Sequence, residues 1–266
     1  MSVGVLVFPG TNSEDETVRA VLAAGLDARL VHWSADPASA RAFDAYILPG
    51  GFAYEDRIRA GAVAAHDKLM DVVIEGAQAG KLVLGICNGA QVLLETGLVP
   101  GTGPIRRPTA AFAPNGAGGR FRSVRVYARP VGNRARSPFL AALADAPISM
   151  WASHGDGRLV ASAAELKTIE RGGHIAFVYT DEAGVASGSA VPNGSALGVA
   201  GLVNARGNVL AIMPHPERDG WVFQQRDGPE KLAAMNDSEA MLAPSGGSAI
   251  FTALARALGT PVGSAR

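Results

Sequence analysis

The chain has 266 residues and a mass of 27.3 kDa, with 48% hydrophobic side chains, which suits one large α/β domain with a substantial core. Lys+Arg and Asp+Glu number 24 each, so the net charge is +0, and the basic excess or stripe of a nucleic-acid binder is missing. A single cysteine excludes an intrachain disulfide and fits a reducing, cytoplasmic setting; with no apolar run of about 18 residues and no basic leader before the first strand, neither a membrane span nor a signal peptide is expected.

Residues 2–8 form an apolar run that reads as a first strand. Ser13 is placed to cap a helix beginning at Glu14, with Glu16 completing a capping box and Val18, Val21 and Leu22 forming the buried stripe. Residues 27–31 and 44–48 read as strands, 62–79 as a helix, 81–86 as a buried strand and 88–98 as another helix. This alternation predicts a flavodoxin-like, mostly parallel sheet with helices on both faces. Between residues 100 and 192 the pattern is less regular. Residues 121–128 and 175–179 read as additional strands, 114–119 and 184–189 as flexible turns, and 199–203 with 209–213 as an antiparallel hairpin. A helix over 237–258 ends a single domain spanning 1–258, and 259–266 reads as a frayed tail. No internal repeat breaks the chain.

The chemistry concentrates at three places. Residues 83–91 read Val-Leu-Gly-Ile-Cys-Asn-Gly-Ala-Gln, so the lone cysteine, Cys87, stands in the cysteine form of the Gly-x-Ser-x-Gly elbow, between a strand and a helix. Gly85 and Gly89 allow the strained turn, and the helix N-terminus favours a thiolate. A nucleophile needs a base. His215 lies in Met213-Pro-His-Pro-Glu-Arg218, where the flanking prolines bias the segment to extended or turn geometry. On its own such a His-Pro motif marks a surface turn; beside the elbow it supplies a base, and Glu217, two residues on, faces the same way and can fix its tautomer. Attack on a carbonyl also needs donors for an oxyanion. Tyr46-Ile-Leu-Pro-Gly-Gly-Phe52 ends a strand in paired glycines, which makes the Gly51 and Asn88 N–H groups the expected pair. The histidines and the one cysteine have no ligand spacing, so no metal site is expected.

Together with Phe8-Pro-Gly-Thr-Asn12, Arg59-Ala-Gly-Ala62, Asn193-Gly-Ser195 and Gly207-Asn-Val209, these segments resemble the glutaminase subunits of phosphoribosylformylglycinamidine synthases, members of the class I (triad) glutamine amidotransferases. The resemblance implies Cys87 as nucleophile, His215 as general base and acid, and Glu217 as orienting carboxylate. It implies that Gly50, Phe52, Gln91 and His154 help bind L-glutamine. Ammonia would pass to a large synthetase subunit that carries ATP and magnesium, with a small third subunit bridging the two; no cofactor is expected on this chain. The sequence departs from the family pattern at Ser13, usually cysteine, at Glu55, usually glycine, and at Asp156 and Leu159, usually glutamate and an aromatic. A stand-alone cysteine hydrolase of the same architecture, a glutaminase serving another synthetase, and a silent scaffold subunit are the competing readings. Glyoxalase-like members place histidine directly after the cysteine, where this chain has Asn88.

Overall fold

A computed structural model describes residues 1–116, 118–225 and 242–260. Five strands run parallel in the order β2 (Asp27–His32), β1 (Ser2–Val7), β3 (Ala45–Leu48), β4 (Leu82–Ile86) and β11 (Val209–Ile212). That is the flavodoxin-like order, and it puts the carboxyl ends of β1, β3, β4 and β11 at one edge, where ligands bind in open α/β sheets. Strands β3, β4 and β11 are buried at every position, as strands covered on both faces are.

The antiparallel part is larger than the sequence suggested. Beyond β11 the same sheet continues through β10 (Val199–Val203), β9 (Ile175–Thr180), β6 (Arg122–Pro130) and β7 (Ile148–His154), every pairing antiparallel. A separate antiparallel pair joins β5 (Ala110–Ala113) to β8 (Arg158–Ala161). Strand β7 escapes a periodicity reading because its residues are buried or half-buried on both sides, without the polar alternation of a one-faced strand.

Several helices depart from expectation for local physical reasons. Helix α1 (Glu14–Ala23) starts where expected, yet no capping box forms. The Ser13 hydroxyl instead accepts from Arg218 Nη2 at 2.9 Å, and Glu16 pairs with the same guanidinium at 3.8 Å. The buried face of α1 is Thr17, Ala20 and Val21, while Leu22 is 51% exposed. After α2 (Pro37–Ala40), the long helix expected over 62–79 is divided. A 3-10 turn at Ala64–His66 ends at Asp67, whose extended backbone breaks the path. Asp67 then caps α3 (Lys68–Gln78) by accepting from Leu69 N at 2.8 Å. Helix α4 (Asn88–Glu95) follows the elbow; α5 (Pro138–Ala141) and α6 (Ala163–Arg171) belong to the less regular middle of the chain. The last helix, α7 (Ser248–Ala257), begins later than expected because Pro244, Gly246 and Gly247 precede it; residues 237–241 of that expectation, and 261–266 of the expected tail, lie outside the described residues. One continuous hydrophobic cluster, including Val5, Ile47, Leu84, Phe177, Leu210 and Phe251, joins the parallel and antiparallel halves.

Candidate active site

Cys87 sits between β4 and α4 with φ 51 and ψ −106, a conformation that costs a non-glycine residue about 1–3 kcal/mol and that surrounding bonds must hold in place. Those bonds are present. Cys87 N donates to Ile212 O at 2.9 Å, Gln91 N to Cys87 O at 3.1 Å, and Gly89 N to Pro49 O at 3.1 Å. A Cβ on Gly89 would run into the Leu48 carbonyl, so the elbow helix can approach β3 this closely only with glycine there. The thiol is 5% exposed, lies at the α4 N-terminus and has Sγ 3.8 Å from Ser153 O.

His215 is just past the carboxyl end of β11 and is fully enclosed, so the turn is not a surface one. Its Nδ1 contacts Glu217 Oε1 at 2.5 Å, and both side chains are at most 2% exposed. The remaining nitrogen, Nε2, has no nitrogen or oxygen partner and is the one left for the Cys87 sulfur. Burial works against a charged imidazole here. The Glu217 carboxylate and the Cys87 sulfur together outweigh it and hold the ring pKa well above the usual histidine value. The ring lies where a Cβ on Gly50 would be, so Gly50 makes room for the histidine; it does not itself line the cleft.

Gly51 has φ 151 and lines the cleft beside Cys87. The loop after it is strained: Tyr54, Glu55, Asp56 and Ile58 all have left-handed φ between 50 and 72. The Asn88 side chain ties this loop to the elbow, with Oδ1 accepting from Ala53 N at 2.9 Å and Nδ2 donating to Asp56 Oδ1 at 2.9 Å and to Gln91 Oε1 at 2.8 Å. Gln91 Nε2 donates in turn to Asp156 O at 2.5 Å. The Gln91 amide is thus engaged at both ends within the wall of the cleft.

His154 is the last residue of β7. It is 3% exposed, with Nδ1 3.2 Å from Asn115 Oδ1, and its pKa is pushed down to about 4, chiefly by burial and then by the charge on His215. The Asn193-Gly-Ser195 segment supports the adjoining turn: Asn193 Nδ2 donates to Gly157 O at 2.7 Å, and Ser195 Oγ accepts from Leu159 N at 3.0 Å.

The cleft, about 300 Å³ in volume, has Cys87, Gly51, Phe52, Gln91, His154 and His215 in its wall. Asn12, Phe121, Ser153 and Arg218 also line it and were not singled out from the sequence. Arg218 directly follows the His215–Glu217 segment, Asn12 ends the Phe8–Asn12 segment and Ser153 adjoins His154, which were the available signals; Phe121 precedes β6 and reaches the cleft through the antiparallel strands. Two carboxylates, Asp56 and Asp156, complete the wall; burial raises the pKa of each, with the Asp156 charge adding to the rise at Asp56. Among the described residues no cluster of three His, Cys, Asp or Glu could hold a metal ion.

The chain matches a CobB/CobQ-like glutamine amidotransferase domain over residues 1–251. It is 41% identical over 222 residues to a phosphoribosylformylglycinamidine synthase subunit PurQ of Symbiobacterium thermophilum, covering 82% of this chain and 88% of that one. It is 40% identical over 242 residues to the subunit of the same name from Moorella thermoacetica, covering 89% and 96%. Among solved structures, it is similar to a chain in the structure of PurLQS from Thermotoga maritima, with a TM-score of 0.71, 27% identity, and coverage of 97% of this chain and 98% of that one.

Proposed function

The chain belongs to the family of phosphoribosylformylglycinamidine synthase glutaminase subunits, and from that premise we propose that it hydrolyses L-glutamine to glutamate and hands the ammonia to a separate synthetase subunit for purine biosynthesis. One observation carries the assignment of the chemistry to residues: a cysteine on a strained elbow opens on the same cleft as an enclosed His215–Glu217 pair.

In this reading the Cys87 thiolate, paired with imidazolium His215, attacks the carboxamide carbon and forms the carbon–sulfur bond. The N–H groups of Gly51 and Asn88 receive the charge that develops on the oxygen. His215 protonates the departing nitrogen as the carbon–nitrogen bond breaks, releasing ammonia; it then takes a proton from water, which cleaves the γ-glutamyl thioester to glutamate and restores the thiolate. Glu217 holds the imidazole in one tautomer and balances its charge throughout. Gln91 acts as a positioning residue, tying the elbow to the turn after His154.

The chain has no Gly-x-x-x-x-Gly-Lys phosphate loop, so ATP and magnesium belong on the synthetase, and a small third subunit bridges the two. No helix among the described residues is long and apolar enough to cross a membrane, and the reactive thiol suits the cytoplasm. A glutaminase for a different synthetase would share this cleft; only the relatives favour the purine enzyme. The test is Cys87→Ser in the assembled complex. Glutamine-dependent synthesis should vanish while synthesis fed with free ammonium stays within about twofold of wild type; loss of both would make Cys87 a structural residue.

A further inference from the structure

Orienting His215 requires a fixed Glu217 carboxylate, yet that carboxylate is gripped on one side only. Oε1 meets His215, while Oε2 is buried without a hydrogen-bond partner among the described residues. Its place is therefore set by the backbone of Pro216–Asp219, a single 3-10 turn. That turn is anchored at both ends. At the near end the backbone of His215 bridges to Trp151 of β7. At the far end stands Asp219, 0% exposed, a carboxylate taken wholly out of water. Its Oδ1 accepts from Ser245 Oγ at 3.0 Å, and its Oδ2 lies 3.6 Å from Nε of Arg125 in β6, the residue in register with Trp151. The catalytic turn thus lies across two adjacent strands, with Glu217 midway between its anchors.

Backbone contacts close the clamp from the other side. Asp219 O accepts from Gly247 N at 2.7 Å, and Ser245 N donates to Gly220 O at 2.9 Å. A Cβ on Gly247 would overlap the Pro216 carbonyl, so the turn sits directly on the start of α7 with no room for a side chain between them. A buried ion pair is a poor source of stability, because well-packed apolar residues of similar volume serve as well or better. What the buried charge at Asp219 supplies is one defined placement of the turn.

Resting on the glutaminase reading, we propose that Asp219 is a positioning residue for the reaction: through Arg125 and Ser245 it fixes the Pro216–Asp219 turn and so holds the Glu217 carboxylate on the His215 imidazole. Asp219 does not line the cleft, so it acts through Glu217 on the chemical steps and leaves the binding of glutamine alone.

The test is Asp219→Asn in the complex assembled with its synthetase; the side chain keeps its size and loses its charge. The kcat for ammonia release from glutamine should fall about tenfold, with KM and ammonium-fed synthesis each within about twofold of wild type. A double-mutant cycle with Glu217→Gln separates positioning from general loosening: once the carboxylate at 217 is gone, adding Asp219→Asn should lower kcat by less than about twofold more. Should Asp219→Asn fail to assemble, as judged by loss of ammonium-fed synthesis, Ser245→Ala takes its place in the same cycle, with an expected loss of about threefold on its own. A wild-type kcat in the variant used, a loss confined to KM, or an undiminished loss on top of Glu217→Gln overturns the positioning role. A wild-type complex that releases no ammonia from glutamine overturns instead the glutaminase reading beneath it.

Discussion

His215 and Glu217 form a charged pair shut away from solvent, and their roles differ in size. His215→Ala removes the proposed general base and acid and should lower glutamine turnover by more than about a hundredfold. Retention within about tenfold, near 1.4 kcal/mol of barrier, would refute the triad. Glu217→Gln should cost less in rate and should lower the imidazole pKa, which nuclear magnetic resonance of the ring would read directly. His154 sets a second pH dependence with a clear sign. Its folded value is depressed to about 4, so the unfolded chain binds the proton first, from about pH 6.5 downward. Stability is intact above the unfolded value and is lost as pH falls toward the folded one, by about 3 kcal/mol in full. Urea midpoints of wild type and His154→Asn between pH 7 and pH 4 should converge; parallel curves would deny His154 that role.

At the level of elements, α3 depends on Asp67, which caps its N-terminus and also accepts the Tyr54 hydroxyl at 2.7 Å. Asp67→Ala should cost about 1–2 kcal/mol in urea unfolding, and Tyr54→Phe should recover only the part not due to the cap. The sequence contained this cap, an aspartate before an amphipathic run, but the apolar residues on either side made one helix of 62–79 the simpler reading. The parallel strands and the elbow were legible because buried β4 is an unbroken apolar run and glycine is required where α4 meets β3. The capping box at Ser13 looked equally local and did not form, because Arg218, far along the chain, takes both of its members. Strand β7, and the approach of Phe121 and Ser153 to the cleft, were hidden for the same reason: only the antiparallel strands bring them there, and pairing over that range leaves no trace in a short window.

For the molecule as a whole, the loop after Gly51 is the place where a partner could act. Its left-handed residues and exposed Ile58 set it apart, and side-chain links from Asn88, from Tyr54 to Asp67 and from Arg59 to Glu95 fix its position. At Glu55, φ 58 lies in the left-handed region that favours glycine. Glu55→Gly relieves about 1 kcal/mol of backbone strain, but it gives up the exposed Arg57 pair and frees the unfolded chain, so stability should stay within about 1 kcal/mol of wild type. The ratio of synthetase-stimulated to basal ammonia release should change instead; a ratio identical to wild type would remove the loop from activation. The sheet itself carries a different consequence. Past β11, the backbone of His215 exchanges hydrogen bonds with Trp151 of β7, 2.7 Å in one direction and 3.3 Å in the other, although β7 is the last strand counted outward from β11. The antiparallel half therefore curls into a nearly closed ring that begins and ends at the catalytic segment. A sheet bridged back onto itself has fewer loose edges to fray from, and the Trp151 bridge couples the place of His215 to the packing of β6 and β7.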